Sequence, residues 1–261
     1  MDRDLSRLLE EWPYEPGRIN VRLIRGDGGD PLVQVRLDLG ILQMSVDGRP
    51  EGPRGPDAPS VLEIHEGRAD ELSMVEDDED GPTTPPVPDP EGLGLTPEEC
   101  RALREEAMQY AHRYVALLVL EDFEGVVRDT TRNLRVVELL SEHAKSDGDK
   151  NSLEPQRAYL LMMRARARAS LAMKDGEPRA ALLAIDEGLD ELRACFEGQG
   201  QGEAFEASKE ASVLRGMREA LVPKLPVSQR AELRTRLDEA LASENYELAA
   251  ILRDELRMLP E

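Results

Sequence analysis

The sequence predicts an α+β protein that is mainly α, and three observations carry that reading. Hydrophobic residues fill 40% of the 261 positions but aromatics only 3%, a balance that suits helices packed through Leu and Ala better than a β-sandwich. Apolar residues alternate with period two early in the chain and recur with helical period from Thr96 onward. Between the two lies an acidic, Pro-rich tract almost without apolar side chains. These changes divide the chain into a small β-meander with an N-terminal helix over 1–50, a linker over 51–95, a helical domain over 96–223 and a closing helical hairpin over 226–261.

Leu5, Leu8, Leu9 and Trp12 fall at i, i+3, i+4 and i+7, which predicts a short amphipathic helix ending before Pro13. Ile19, Val21 and Leu23 then alternate with Asn20 and Arg22, and Val33, Val35, Leu37 and Leu39 alternate with Gln34, Arg36 and Asp38. Two such runs joined by "GDGGD" read as a β-hairpin. After Gly40, which allows a bend, "ILQMSV" reads as a third strand. The expected unit is an antiparallel meander with one buried face, covered by the first helix.

From Pro50 to Pro59 the chain is rich in Gly and Pro and reads as loop. "SVLEIHEGRADELSM" suits either a weak helix or a strand. Residues 70–99 hold eleven Asp or Glu and no Lys or Arg, so about half of the formal net charge of −21 sits in one tract. Within it, Glu76 to Gly94 combines this charge with five prolines, and such a segment buries too little surface to offset its ordering entropy. A disordered linker is expected there.

Thr96-Pro97-Glu98-Glu99 joins an N-cap, a first-turn proline and an acidic first turn. Helices are expected at 97–119, 122–145, 154–174, 177–197, 203–222, 228–242 and 246–258, forming antiparallel hairpins. Two stretches, "LEDFEGVVRDTTRNLRVVELL" and "MKDGEPRAALLAIDEGLDELRACF", each pass from an apolar helix through a short acidic turn into a helix with small residues. They resemble tetratricopeptide-type helix pairs, in which small residues let neighbouring helices nest. Their spacing of 54 residues, from Phe123-Glu124 to Glu177-Pro178, exceeds the roughly 34 of that repeat, so the resemblance extends to a tetratricopeptide-like scaffold only.

No residue set for catalysis or cofactor binding emerges, and none is expected. His65, His112 and His143 are isolated from one another and from other ligand types at metal spacing. "GDGGD" joins two strands and lacks the Gly-Lys and helix of a phosphate loop. Cys100 and Cys195 match no redox or metal spacing; a disulfide and two free thiols both fit, and a reducing cytoplasm favours the thiols. The acidic N-terminus without a long apolar core, and the absence of any run of about 20 apolar residues, lead us to expect a cytoplasmic, non-enzymatic protein with no membrane contact. The negative net charge argues against direct nucleic-acid binding. One basic row stands out: Arg164 and Arg168 share a helix face, with Arg157 further back. It suits either an acidic-peptide face or a solvated face paired to acids such as Asp186, Glu187 and Asp190.

The closing hairpin carries the most specific pattern. Ser228 is a good N-cap, and Leu233, Leu237, Ala240 and Leu241 form one stripe. Asn245 caps the second helix, whose stripe is Tyr246, Ala249, Leu252, Leu256 and Leu259, with Ala250 beside it. Ala240, Ala249 and Ala250 permit close helix approach. "ASENYELAAILRDELRML" resembles the UVR motif, the short helical hairpin named for the B and C subunits of the bacterial excision-repair nuclease. The resemblance implies a protein-protein contact module. On that basis Tyr246, Glu247, Ala250, Arg253 and Asp254 are the expected partner-binding residues, over a hairpin core of Leu233, Leu237, Ala240, Leu241, Ala249, Leu252, Leu256 and Leu259. The implied partner is another protein, with a second hairpin of this kind or another copy of the chain as options. Similar hairpins in stress proteins tied to the Clp system point to an adaptor; the alternative is an accessory factor in nucleotide-excision repair.

Overall fold

Three strands, β1 (Asn20–Arg25), β2 (Pro31–Arg36) and β3 (Ile41–Ser45), pair antiparallel in the order β1-β2-β3. Val33 stands opposite Leu23 and Met44, and Val35 opposite Val21 and Leu42, so the period-two apolar set shares one face. That face packs through Val33 and Met44 onto Ala116 and Leu120. The computed structural model describes residues 5–51, 59–76 (backbone alone over 72–76) and 93–221. Beyond these it describes Leu237, Asp238, Leu241, Ala242, Leu248 and Arg253. Of the linker expected over 51–95, with disorder from Glu76 to Gly94, residues 52–58 and 77–92 lie outside the described residues.

The expectation that the first helix covers the buried face of the meander is not met. That helix, α1 (Ser6–Glu11), buries no residue. Trp12, just beyond it, sits instead on the polar face: the Arg22 guanidinium lies 4.1 Å over its ring, and Arg36 Nε donates to its carbonyl at 2.9 Å. Gln34 continues that face by accepting from Arg22 at 2.8 Å and donating to Gln43 at 2.7 Å. Both faces are thus occupied, one by apolar packing and one by a hydrogen-bonded row.

The ambiguous stretch after the Gly/Pro loop is a helix, α2 (Val61–Glu76). Its start is a capping box: Ser60 Oγ accepts from Glu63 N–H at 3.2 Å, and the Glu63 carboxylate accepts from Ser60 N–H at 2.7 Å. The expected linker over 51–95 therefore contains a folded helix. Its far end is also fixed, because Leu95 is fully buried and its N–H donates to the His143 carbonyl at 2.8 Å.

Beyond it the helical expectations hold closely. Helices α3 (Pro97–Val119), α4 (Phe123–His143), α5 (Asp147–Lys150), α6 (Glu154–Lys174) and α7 (Pro178–Gly198) follow in turn. The expected break at "KSDGDKN" contains the single-turn α5, capped by Ser146. Thr96 caps α3 through the full capping box with Glu99, and Asp122 caps α4 by accepting from Gly125 N–H at 3.0 Å. The three-residue α3–α4 turn forces Glu121 into the left-handed region at φ 58°. A helix expected over 203–222 instead starts at Lys209, as α8 (Lys209–Leu221). Phe205 is buried against Phe196 before it, and Ser208 Oγ accepts from Ala211 N–H at 3.1 Å, which places the cap six residues later than the composition suggests.

Small residues set the helix spacing. A Cβ on Gly188 of α7 would stand 2.3 Å from the Cβ of Ala165 on α6, and one on Gly125 of α4 would stand 2.7 Å from Leu117 of α3. Ala165, Ala167, Ala169, Ala181 and Ala184 are buried beside that first crossing. The nesting read from the small-residue helices is present, in helices of 21 to 23 residues.

The chain divides into two compact units, Met1–Arg218 and Glu219–Glu261. In the second, Leu237, Asp238, Leu241, Ala242, Leu248 and Arg253 are all helical. No described helix is long and apolar enough to cross a membrane.

Candidate interaction site

The basic row on α6 is paired within the chain. Arg157 bonds Glu154 at 2.6 Å, Arg164 bonds Glu191 at 2.9 Å and Arg168 bonds Glu187 at 2.7 Å. The last two pairs lock α6 to α7. Arg218 of α8 similarly bonds Asp186 of α7 at 2.7 Å. An acidic peptide would have to displace these carboxylates to use the row.

A charged cluster that sequence reading does not single out lies where the meander, α2, α3 and α4 meet. Asp129 of α4 is fully buried and takes a two-pronged bond from Arg113 of α3, at 2.7 Å and 2.8 Å. Arg113 also donates to the carbonyls of Ser45 at 3.0 Å and Gly48 at 2.7 Å, tying the end of β3 to the helices. Arg128 reaches Asp129 at 3.0 Å and Asp47 at 2.9 Å. Two turns earlier on α3, the buried Glu106 carboxylate accepts from Arg132 and from the first N–H groups of α2, Val61 at 3.1 Å and Leu62 at 3.4 Å. Arg49 approaches the same carboxylate at 3.7 Å. The ring of Tyr110 lies between Arg113 and Arg132, at 4.8 Å and 3.9 Å from their guanidinium carbons.

Arg49, Tyr110, Arg113, Arg128, Asp129 and Arg132 border a cleft of about 870 Å³, with Ser60, Glu63 and Thr131 also in its wall. One signal in the sequence marks them: Val126, Asp129, Thr130, Asn133 and Val137 fall on one face at i, i+3, i+4, i+7 and i+11, and three of the five carry polar groups that a plain core face would lack. Tyr110, Arg113, Tyr114 and Leu117 repeat the pattern on α3.

The histidines do not gather. His65 is buried on α2 with Nδ1 3.0 Å from the Arg68 guanidinium, His112 is exposed and His143 half-buried. Both cysteines are free thiols, Cys100 buried and Cys195 half-buried. Burial pushes both thiols above the ordinary cysteine value. Among the described residues no group of three or more potential metal ligands converges.

In the second unit Leu237 is half-buried, whereas Leu241, expected in the hairpin core, is 48% exposed, and Leu248 is 38% exposed. A stripe in a unit of this size has little to cover its edge, so apolar surface stays in water. Leu233, Ala240, Tyr246, Glu247, Ala249, Ala250, Leu252, Asp254, Leu256 and Leu259 lie outside the described residues, and Arg253 is exposed on a helix. Residues 228–259 match the family model described as UvrB/uvrC motif. The C-terminal segment carries a UVR motif. Against curated proteins and solved structures the chain shows no match. The UVR motif accounts for 32 of the 261 residues, so the identification extends to that segment alone.

Proposed function

We propose that the protein is a non-enzymatic adaptor that binds another protein through its UVR segment, with the helical residues 96–223 as a tetratricopeptide-like scaffold. The observation that carries this reading is the motif match over residues 228–259, in a unit separate from the larger one. Supporting it, Leu241 and Leu248 leave apolar side chains exposed on helices of that small unit. The segment bears the pattern of a contact module, and the site residues expected for it contain no nucleophile paired with a base.

The test compares the full chain with its Ala250→Glu variant as baits in the native cell. An added carboxylate at the edge of the apolar stripe blocks a partner's approach while keeping a helix-forming residue. The variant retains its helical circular dichroism and thermal midpoint but loses the partners that the wild type captures. Equal capture by both proteins refutes the UVR segment as the contact surface. Excision-nuclease subunits among the lost partners would favour an accessory role in nucleotide-excision repair, and chaperone or protease subunits a stress adaptor.

A further inference from the structure

The two edges of the meander end differently. On β3 the outer edge is closed at Ser45, whose N–H donates to the Pro50 carbonyl at 2.9 Å and whose carbonyl accepts from Arg113 at 3.0 Å. On β1 the edge is open. The Gly26 N–H donates to the Asp30 carbonyl at 2.9 Å, so by alternation Asn20, Arg22 and Ile24 bond into β2. The N–H and carbonyl groups of Val21, Leu23 and Arg25 therefore point out of the sheet, and none has a partner among the described residues. The chain before β1 leaves this edge clear. The Asn20 side chain ties it back through the backbone of Glu15 and Arg18, and Trp12 is held by Arg36 of β2.

The apolar face runs out at the same strand. Across one row of the sheet Val33 is 0% exposed and Met44 7%, both packed with Ala116, whereas Leu23 is 58% exposed. Native sheets blunt such edges with charge, but Arg25 guards only one end and leaves Val21 and Leu23 unprotected.

Charge selects what adds to it. A second β1 pairing antiparallel through the outward groups is centred on Arg22, Leu23 or Ile24. Centring on Arg22 opposes two copies of that arginine, a like-charge pair. Centring on Ile24 runs Val21 into the turn at Asp27. Centring on Leu23 pairs the three outward residues among themselves, Leu23 with Leu23 and Val21 with Arg25, and Arg22 then faces Ile24. No arginine opposes another. The end that carries Arg18 meets the turn that carries Asp27 and Asp30, two acids with no ion-pair partner among the described residues.

We propose that the protein forms a reversible homodimer through this edge, with two copies of β1 antiparallel about a two-fold axis at Leu23. The two three-stranded sheets become one, and each leucine covers the other. A pair of six-residue strands falls short of the roughly 800 Å² per partner of a stable interface, so the dimer depends on concentration. The edge lies outside the UVR segment, so this pairing stands or falls apart from partner capture there.

The test is sedimentation equilibrium of the full-length protein at concentrations up to about 1 mM, with an expected dissociation constant on the order of 100 µM. Leu23→Pro removes the central outward N–H and spares the β1–β2 ladder, and weakens the dimer by about ten- to a hundredfold. Leu23→Lys keeps the N–H and weakens it as well, by opposing two cations across the axis. Ala250→Glu leaves it unchanged. In a mixture of differently isotope-labelled copies, an intermolecular nuclear Overhauser effect joins the Hα of Arg22 to the Hα of Ile24, which lie opposite each other in this register. The proposal is overturned by a monomer throughout, by undiminished dimerisation of folded Leu23→Lys, by loss of the dimer on Ala250→Glu, or by a dimer lacking that Arg22–Ile24 contact.

Discussion

Replacing Asp129 by Asn tests whether the buried ion pair holds the meander to the helices. The carboxylate is fully buried, Arg113 is 1% exposed, and the two are joined by parallel bonds of 2.7 Å and 2.8 Å. An amide there removes the counter-charge and turns one acceptor into a donor facing the guanidinium. Breaking a buried pair from one side costs about 3–5 kcal/mol, because the surviving charge stays desolvated. Set against a typical domain stability of about 5–15 kcal/mol, the loss is large enough to measure without ambiguity. Urea unfolding followed by far-ultraviolet circular dichroism reads it as a lower midpoint at similar slope. Hydrogen exchange adds the location: amides of β2 and β3 lose protection before those of α6, since Arg113 also carries the bonds to the Ser45 and Gly48 carbonyls. Joint replacement, Arg113→Met with Asp129→Leu, recovers part of the loss. It does not recover all of it, because those two carbonyls then lack their donor, at about 1–3 kcal/mol if they remain buried. If Asp129→Asn loses less than about 1 kcal/mol, the pair is solvated in solution and the junction is held by the apolar face alone.

Gly188→Ala should destabilise despite the better helix propensity of Ala, because its Cβ would stand 2.3 Å from that of Ala165. Overpacking of about 1–3 kcal/mol outweighs a propensity gain of about 1 kcal/mol, and an unchanged or raised thermal midpoint would show that α6 and α7 separate freely. Burial lowers the pKa of His65, while Glu99 opposes and Arg68 reinforces the shift. The fold therefore keeps this histidine neutral, and its contribution is present above the ordinary value of about 6.5 and lost as pH falls through the lower folded value. His65→Gln should flatten the decline of stability below about pH 6.5, and an identical pH profile in both proteins would refute this. The chain should not bind duplex DNA at physiological salt, given its charge of −21 and the pairing of Arg164 and Arg168 with Glu191 and Glu187. Micromolar binding with a steep salt slope, lost on Arg164→Glu with Arg168→Glu, would reverse that expectation and strengthen the repair reading.

The parts of the fold that were legible in the sequence are those set by local signals. Thr96-Pro97-Glu98-Glu99 states the start of α3 through chemistry confined to one turn, and the observed capping box uses those same groups. "GDGGD" between two alternating runs likewise dictates β1, β2 and their register. Ser60 to Glu63 carries the same capping-box spacing, yet the weak amphipathicity beyond it leaves helix and strand undecided. What settles α2 is distant in sequence: the Glu106 carboxylate accepts from its first N–H groups, Arg135 of α4 binds its Glu66, and its own Arg68 reaches Glu99 of α3. A similar long-range effect delays α8, whose start waits on the burial of Phe205.

The same distinction separates the two candidate sites. A UVR segment is compact in sequence, with its turn, its two alanines and its Arg-Asp pair spaced within one hairpin, so a reader needs no partner residue from elsewhere to see it. The cleft has the opposite construction. Arg49, Arg113 and Arg132 are separated by 64 and 19 positions and gain meaning only when the meander folds onto α3 and α4. Each looks like an ordinary solvated charge until its neighbours are known. The residual hint is that Asp129 and Arg113 fall in rows otherwise filled by uncharged Val, Leu, Thr, Tyr and Asn, where an unpaired charge would cost more than the helix could recover. A charge in an apolar row therefore demands an opposite charge on the facing helix. That demand, applied to α3 and α4 together, pairs Arg113 with Asp129 and Glu106 with Arg132, and so brings the junction within reach of sequence reasoning even though its outer arginines are not.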